Sequence, residues 1–482
     1  MLRSPQPEQY ELEMVTLEQL VPQDHLLRKI TATIDFEFIR EEVRHLYCEN
    51  NGRPAVDPVR LFKIMLLGYL FGIPSERKLV KEIEVNVAYR WFLGMGLTEK
   101  VIDASTLSQN RIRRFNGTDV FENVFYNILE QALAGGFIEG KVLYTDSTHL
   151  KADANKRKFI NQHLPIRPSA YINELDQAVA EERKKKELKP LPPRNEDAVK
   201  SKDTKVSTTD PDAGFMHRDE KPKGFFYLDH RTVDSKHNFI LDTYVTPGNV
   251  NDAQPYIQRL DHVCNQFDFK PDIAGLDSGY FQSTIAHFLE ERGIDGVFGY
   301  RRPHKGPNTF QKRHFTYDLE NDCYICPQGE CLPFKTISRE GYYQYHASRK
   351  ACQQCSRKAD CTQSKFKVIT RHIWEDSKER ANKRRLEPWA KKVYKRRNET
   401  VERSFADAKE HHGHRYARFR GRQKVQMQCL LAATAQNIKK LAMLAFLTPI
   451  FKYICLKLDQ LNPDLSLVDN WVSLYAFNKQ NA

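Results

Sequence analysis

The sequence predicts a layered α/β protein with a helical N-terminal part and a cysteine-rich insertion. Three observations support this. Apolar residues recur at helical spacing between residues 15 and 135. From residue 140, short apolar runs alternate with helical stretches. Six of the ten cysteines fall between positions 323 and 361. With 482 residues, the chain has room for two or three domains around a large core. The expected division is a helical domain at 1–135, an α/β domain at 140–448 and a tail at 449–482. Insertions at 156–222 and 301–390 interrupt the α/β domain.

In the helical part, "DPVRLFKIMLLGYLFGI" offers Asp57 as a cap and Pro58 for the first turn. "PSERKLVKEIEVNVAYRWFLGMG" starts a further helix or two at Pro74 and Ser75. "DASTLSQNRIRRF" offers Ser105 as a cap and sets Arg111, Arg113 and Arg114 on a short helix. Short helices with a basic last member suit a helix-turn-helix DNA reader, and equally a plain bundle with a solvated basic face.

Beyond residue 140, "KVLYTDSTHLKA" reads as a buried strand ending at Asp146. "KGFFYLDHRTVD" and "HNFILDTYVTPG" pair as a hairpin across Ser235 and Lys236, and Asp252 caps a helix through "AQPYIQRLDHVCNQF". "PDIAGLDSGY" gives a strand ending at Asp277, "FQSTIAHFLEERG" a helix and "DGVFGY" a last strand. A helix around Glu402 follows much later. The insertion at 156–222, with "AEERKKKELKPLPPRNEDAVKSKD", reads as a helix plus a flexible linker.

The 75 Lys and Arg outnumber the 62 Asp and Glu, a net charge of +13. The surplus favours a polyanionic partner, most simply nucleic acid. The apolar stretches "LFKIMLLGYLFGI" and "MLAFLTPIF" fall short of the roughly 18 residues that span a bilayer, which argues against a membrane protein. The first residues, "MLRSPQPEQYELEMV", lack an apolar signal core, so a cytoplasmic, nucleoid-associated location is expected.

"LYTDST" and "AGLDSG" share one form, an apolar strand that runs into Asp-Ser. A buried aspartate is costly unless it is paired or coordinates a cation. Strand ends of open α/β sheets are also where ligands gather. Phosphodiester chemistry explains a need for such acids, because two divalent ions can activate the attacking oxygen and stabilise the leaving one. Mg²⁺ takes hard oxygen ligands, few of them from protein. A third acid would come from "RRNETVERSFADAKE", where Glu399, Glu402 and Asp407 are the candidates. Asp153 reads as a loop residue, Asp234 as a hairpin-turn residue, and His149 and His230 as structural.

These motifs resemble those of the RNase H-like DDE transposases of bacterial insertion sequences. The aspartates in "YTDSTHLKADANK" and "AGLDSGY" look like that family's first two acids. "YKRRNETVERSFADAK" looks like its tyrosine–arginine–glutamate–lysine helix. The helical start and the cysteine-bearing insertion are most similar to insertion-sequence family eleven-eighty-two, over roughly residues 15–445. The resemblance implies an RNase H-like mixed sheet in the catalytic domain, with Asp146, Asp277 and Glu402 as the metal-binding triad. Tyr394, Arg397 and Lys409 match the remaining positions, as DNA-contacting or site-organising residues. One spacing differs: the family motif commonly has three residues between arginine and glutamate, and here there are four. Helical spacing gives a separate argument for Glu402, since Lys395, Glu402 and Lys409 lie seven apart and share one face of a continuous helix.

The implied activity is cutting the element's ends and joining them to target DNA with two Mg²⁺ (or Mn²⁺) ions. The implied assembly is a homodimer on paired ends, with the N-terminal helices reading the terminal repeats. The residues leave open a metal-dependent nuclease with the same triad, or an inactive DNA-binding scaffold.

In the insertion, Cys352-x-x-Cys355 is half of a tetrahedral zinc site. Cys361 is a third ligand and Cys326, ahead of Pro327 and Gly329, a fourth, with Cys323 as the alternative to Cys326. The resembling family often carries the same four-cysteine pattern. Zn²⁺ would staple an insertion with few apolar residues of its own.

Overall fold

Asp57 accepts a hydrogen bond from the Val59 amide at 3.3 Å, and Pro58 occupies the first helical position. Both sequence signals thus start a helix where expected. The computed structural model describes residues 13–48, 55–165, 171–192, 201–217, 223–300 and 310–461, with side chains to 447. Its first part is helical throughout: α1 (Leu17–Leu20), α2 (Leu26–Thr33), α3 (Phe38–Val43), α4 (Pro58–Leu70), α5 (Glu76–Val85), α6 (Val87–Phe92), α7 (Ala104–Arg113) and α8 (Val120–Ala134). Ser75 caps α5, as the sequence suggests. Asp103, rather than Ser105, caps α7, because its carboxylate reaches the Ser105 amide at 2.7 Å.

The chain continues through β1 (Val142–Lys151), β2 (Phe159–Pro165), α9 (Ile172–Lys185), β3 (Ser201–Ser207), β4 (Gly214–Met216), β5 (Gly224–Asp234) and β6 (Ile240–Pro247). Next come α10 (Tyr256–Phe267), β7 (Ile273–Leu276), α11 (Ser283–Glu291) and β8 (Asp295–Phe298). These strands form one mixed sheet in the order β2-β3-β4-β5-β1-β7-β8, with β6 on the hairpin partner β5. β1 runs antiparallel to β5 and parallel to β7, and β7 parallel to β8. All eleven residues of β5 are buried, as a strand covered on both faces must be.

Two sequence expectations are corrected and one holds. The insertion at 156–222 holds α9 as expected and also adds β2, β3 and β4 to the sheet, while residues 193–200 of the expected linker lie outside the described residues. β2 is largely exposed, β3 is polar and half-buried, and β4 is only three residues long, so none shows the apolar alternation that marks a half-buried strand. Asp252 does not cap α10, which begins at Tyr256 behind Pro255. Asp234 does hold the hairpin turn, accepting from the amides of Lys236 and Gly140 at 2.9 Å each.

A second, five-stranded sheet follows in the order β13-β12-β11-β10-β9. It comprises β9 (Thr316–Asp318), β10 (Cys323–Ile325), β11 (Cys331–Ile337), β12 (Tyr342–His346) and β13 (Val368–His372), with α12 (Arg349–Gln354) and α13 (Lys358–Cys361) before β13. Contrary to expectation, this lobe has an apolar core of its own, built from Phe315, Tyr324, Leu332, Tyr345 and Ile369. Asp322 ties it together by accepting from the hydroxyls of Tyr317 (2.9 Å) and Tyr345 (2.7 Å).

The chain then enters α14 (Glu375–Arg384), α15 (Pro388–Arg396), α16 (Val401–His411) and α17 (Arg422–Leu461). Helix α17 packs on α2, α4, α8 and β6. One hydrophobic core therefore runs from Val21 through the sheet to Ala442. The stretch Arg422–Leu447 is long and apolar enough to cross a membrane, which the shorter apolar runs did not suggest. Most of its apolar window, 61%, is buried inside the protein, the pattern of a core helix. The expected tail begins within α17, and 462–482 lie outside the described residues.

Candidate active site

Parallel register sets the first two acids side by side. β1 and β7 pair from Val142–Ile273 to Thr145–Leu276, so Asp146 and Asp277 occupy the next position on neighbouring strands. There β7 ends, while β1 runs on to Lys151 against β5. Asp146 therefore lies within its strand, not at its end. The sheet opens beside it because only one of its two neighbours continues. Alternation directs Asp146 and Thr148 to the α16 face. His149 and His230 fall on the other face, where His230 hydrogen-bonds Thr246 at 2.8 Å.

The third acid comes from the first turn of α16, where Glu402 sits. α15 and α16 are not one helix. After Arg396 a single 3-10 turn, Arg397–Glu399, leads to Thr400 at φ −109°, ψ −97°, outside helical geometry. The extra residue between arginine and glutamate is absorbed at this break. Lys395 consequently lies on α15, exposed, and shares no helix face with Glu402. Lys409 does share α16, and its Nζ donates to Thr148 Oγ1 at 2.7 Å. Glu399 is exposed, and Asp407 pairs with Arg403 at 3.0 Å.

Arg397 stands at the centre of the three carboxylates, 3% exposed. Its guanidinium lies 2.7 Å from Asp146, 3.5 Å from Glu402 and 3.9 Å from Asp277. Its Nη1 also donates to the Tyr394 hydroxyl at 3.4 Å. Asp277 and Glu402 are nearly half exposed, whereas Asp146 is 22% exposed. Burial pushes the Asp146 carboxyl up to about 6, against the pull of Arg397, and the Asp277 and Glu402 carboxylates add to the rise. Three hard-oxygen donors on three elements, around a cleft open to solvent, fit a divalent cation such as Mg²⁺. The carboxylates are spread around Arg397 rather than drawn tight.

Among the described residues, the donor atoms that lie closest together are those of Asp229, His414 and Cys429, all within 4.8 Å of one another. That cluster is an enclosed ion network, not a metal centre. Asp229 binds the Arg231 guanidinium at 2.8 Å, His414 Nε2 at 2.8 Å and the Thr243 hydroxyl at 2.5 Å. The Arg231 charge, with hydrogen bonds from His414 and Thr243, holds the Asp229 carboxyl well below the usual range despite its burial. Arg231, opposite Asp146 on β5, also donates to the Ser404 carbonyl at 3.3 Å and lies over the Phe405 ring. The network therefore seats α16 on the sheet. Its signal in the sequence is the Asp-x-Arg pair inside the otherwise apolar "FFYLDHRTV".

The basic residues assigned to α7 divide. Arg111 is buried, ion-paired with Glu76 and stacked over Phe419 at 4.2 Å. Arg114 lies over Tyr47 at 4.0 Å and bonds Asn110, and Arg113 is exposed.

In the cysteine lobe, Cys326, Cys352, Cys355 and Cys361 line one cavity of about 280 Å³. Burial first, then the other three thiols, push the Cys361 thiol up. Four soft donors around one small cavity suit Zn²⁺. Cys323 is buried elsewhere, hydrogen-bonded to Cys331, so it does not replace Cys326.

Comparison with known proteins bears on the same two regions. Residues 15–113 match the family described as "Transposase domain (DUF772)", and residues 325–442 match "Transposase DDE domain". Both are transposase domains. The first spans α1–α7, and the second runs from the cysteine lobe through α16, including Glu402, into α17. Together they support a DDE transposase in general terms. Among solved structures, the chain is similar to piggyBac transposase in a synaptic complex with hairpin DNA. That match has 10% identity, 87% of this chain and 78% of the other covered, and a TM-score of 0.32. It is also similar to Mos1 transposase in a paired-end complex with the left transposon end (14% identity, 52% and 61% covered, TM-score 0.16). A Mos1 mariner paired-end complex with Mn matches at 14% identity, with 55% and 65% covered and a TM-score of 0.16. No curated protein matches the chain.

Proposed function

We propose that the chain is a DDE transposase of an insertion sequence, most similar to family eleven-eighty-two. It would cut the ends of its element and join them to target DNA. The observation that carries this reading is the convergence of Asp146, Asp277 and Glu402 on one open cleft around Arg397. The strand order, with the β5/β6 hairpin, β1 at the centre and β7 and β8 parallel to it, supports an RNase H-like catalytic domain.

Asp146, Asp277 and Glu402 are the residues that would hold two Mg²⁺ or Mn²⁺ ions. Bound there, the ions supply an activated attacking oxygen and a stabilised leaving oxygen. The chain's own groups do the rest. Arg397 fixes Asp146 and presents positive charge where phosphate enters, with Tyr394 behind it. Lys409, on the face of α16 that meets β1, orients that helix through Thr148. Phosphates are tracked by the stretch from Lys383 to Lys424, which has fifteen Lys or Arg against five acids. Of the α7 arginines, Arg113 is the one exposed for DNA, while Arg111 and Arg114 brace α7. A homodimer on paired ends and a structural Zn²⁺ on the four cysteines complete the reading.

The test is cleavage of DNA carrying the element's ends, with Mg²⁺. Asp146→Ala and Glu402→Ala should each abolish cleavage while leaving DNA binding in place. Cleavage at wild-type rate in both variants would refute the triad. Joining of cut ends to a target plasmid separates a transposase from a nuclease.

A further inference from the structure

After α16 the chain runs through "HHGHRYARFRGRQK", which holds five Arg or Lys and no acid. Some of its aromatic and basic groups turn inward, whereas His411, Arg415, Arg420 and Arg422 are exposed. His414 joins Asp229, Phe419 lies under Arg111, and Arg418 lies over Tyr69 at 4.2 Å. Tyr416 does the opposite. Its side chain is exposed, 60% by area, on a main chain that is locked in place. Lys151 donates its amide to the Arg415 carbonyl at 3.3 Å, and Ala417 donates to the Lys151 carbonyl at 2.8 Å. The Gln428 side chain donates to the Tyr416 carbonyl at 2.9 Å. Residues 415–417 thus extend the sheet beside the last residue of β1, as a parallel bridge between Lys151 and Tyr416.

Single exposed aromatics are common and need no function. This one is distinguished by its setting. Lys151 Nζ lies 5.6 Å from the ring centre and holds a cation against it, while Arg415 and Arg420, which flank it in sequence, are ion-paired with Glu410 and Asp153. A rigid, water-facing ring beside a lysine is an arrangement on which an unpaired base stacks, with the lysine holding a neighbouring phosphate. Its distance from the chemistry follows from the strand. Lys151 is five residues beyond Asp146 along β1, about 16 Å at roughly 3.3 Å per residue.

We propose that Tyr416 is a stacking platform for an unpaired DNA base about 16 Å along β1 from the phosphate held at Asp146, Asp277 and Glu402. The proposal rests on the transposase reading, and it assigns Tyr416 a preference for unpaired over paired DNA. It is tested on the full chain, in EDTA to prevent cleavage, with two fluorescein-labelled probes. One is an oligothymidylate of about 20 nucleotides, the other a mixed-sequence duplex of about the same length. Tyr416→Ala should weaken oligothymidylate binding about ten-fold and duplex binding by about two-fold at most, while Tyr416→Phe and Tyr416→Trp keep wild-type affinity. Unchanged oligothymidylate binding by Tyr416→Ala overturns the proposal. So does an equal loss on both probes, which marks a phosphate contact, or a loss in Tyr416→Phe as large as in Tyr416→Ala. A wild-type chain that binds neither probe overturns the transposase reading itself, and this proposal with it.

Discussion

Asp146 is held at some cost by the fold. In the folded chain its carboxyl titrates at about 6, raised mainly by burial. A group whose pKa rises on folding favours the folded state while protonated, so that contribution is full below about pH 4 and is lost as pH passes 6. At pH 8 the metal-free protein therefore carries a cost on the order of 2 kcal/mol at this side chain. Asp146→Asn should melt higher than the wild type at pH 8 in EDTA, and the gain should shrink toward pH 5. A variant that melts lower at both pH values would contradict this. Arg397 makes the complementary case. Arg397→Ala should lower DNA cleavage about 10- to 100-fold, with Arg397→Lys recovering part of it in the same assay. At this scale the sequence was informative about the acids, because an apolar run that breaks into Asp-Ser is a strong local signal. It was poor on Arg397 and Arg111. Nothing local tells a buried guanidinium from a solvated one, and both are defined by partners distant in the chain, Asp146 and Glu76.

At the scale of elements, the site depends on how α16 is seated. Arg231 and Asp229 hold it from below through the Ser404 carbonyl and the Phe405 ring. Its far end meets Gly72, which has φ +63° and lies so close to the His411 carbonyl that an added Cβ would approach it to 2.8 Å. Arg231→Met should cost about 3–5 kcal/mol, since it strands the fully buried Asp229, and a urea melt reads this directly. Gly72→Ala should lower both the melting temperature and the cleavage rate, because relief of the contact moves α16. The hairpin β5/β6 and the strands β7 and β8 were legible, being apolar and bounded by turn residues. The break at Thr400 was not: "KKVYKRRNETVERSFADAKE" has no Gly or Pro to mark it, and the packing of α15 on β7 and β8 and of α16 on β1 and β5 imposes it. β2 and β3 were hidden by their polar sequences, which pairing along the sheet edge overrides.

For the molecule as a whole, the four clustered cysteines predict one equivalent of zinc in purified protein. Cys355→Ser should reduce it below half an equivalent, and Cys323→Ser should leave it in place. Zinc lost from Cys323→Ser but kept in Cys326→Ser would reverse the ligand assignment. Because the lobe has its own aromatic core, the metal-free lobe should keep its β-sheet signal in circular dichroism while losing thermal stability. The continuous core from Val21 to Ala442 has a different consequence. Helices α2, α4 and α8 bury their apolar faces on α17, which is the last described element of the chain. A product terminated before α17 would leave those faces uncovered, and it would be a substrate for proteolysis rather than a lasting occupant of DNA. On the proposed transposase reading, copies shortened before α17 should therefore not persist as competitors for the element's ends.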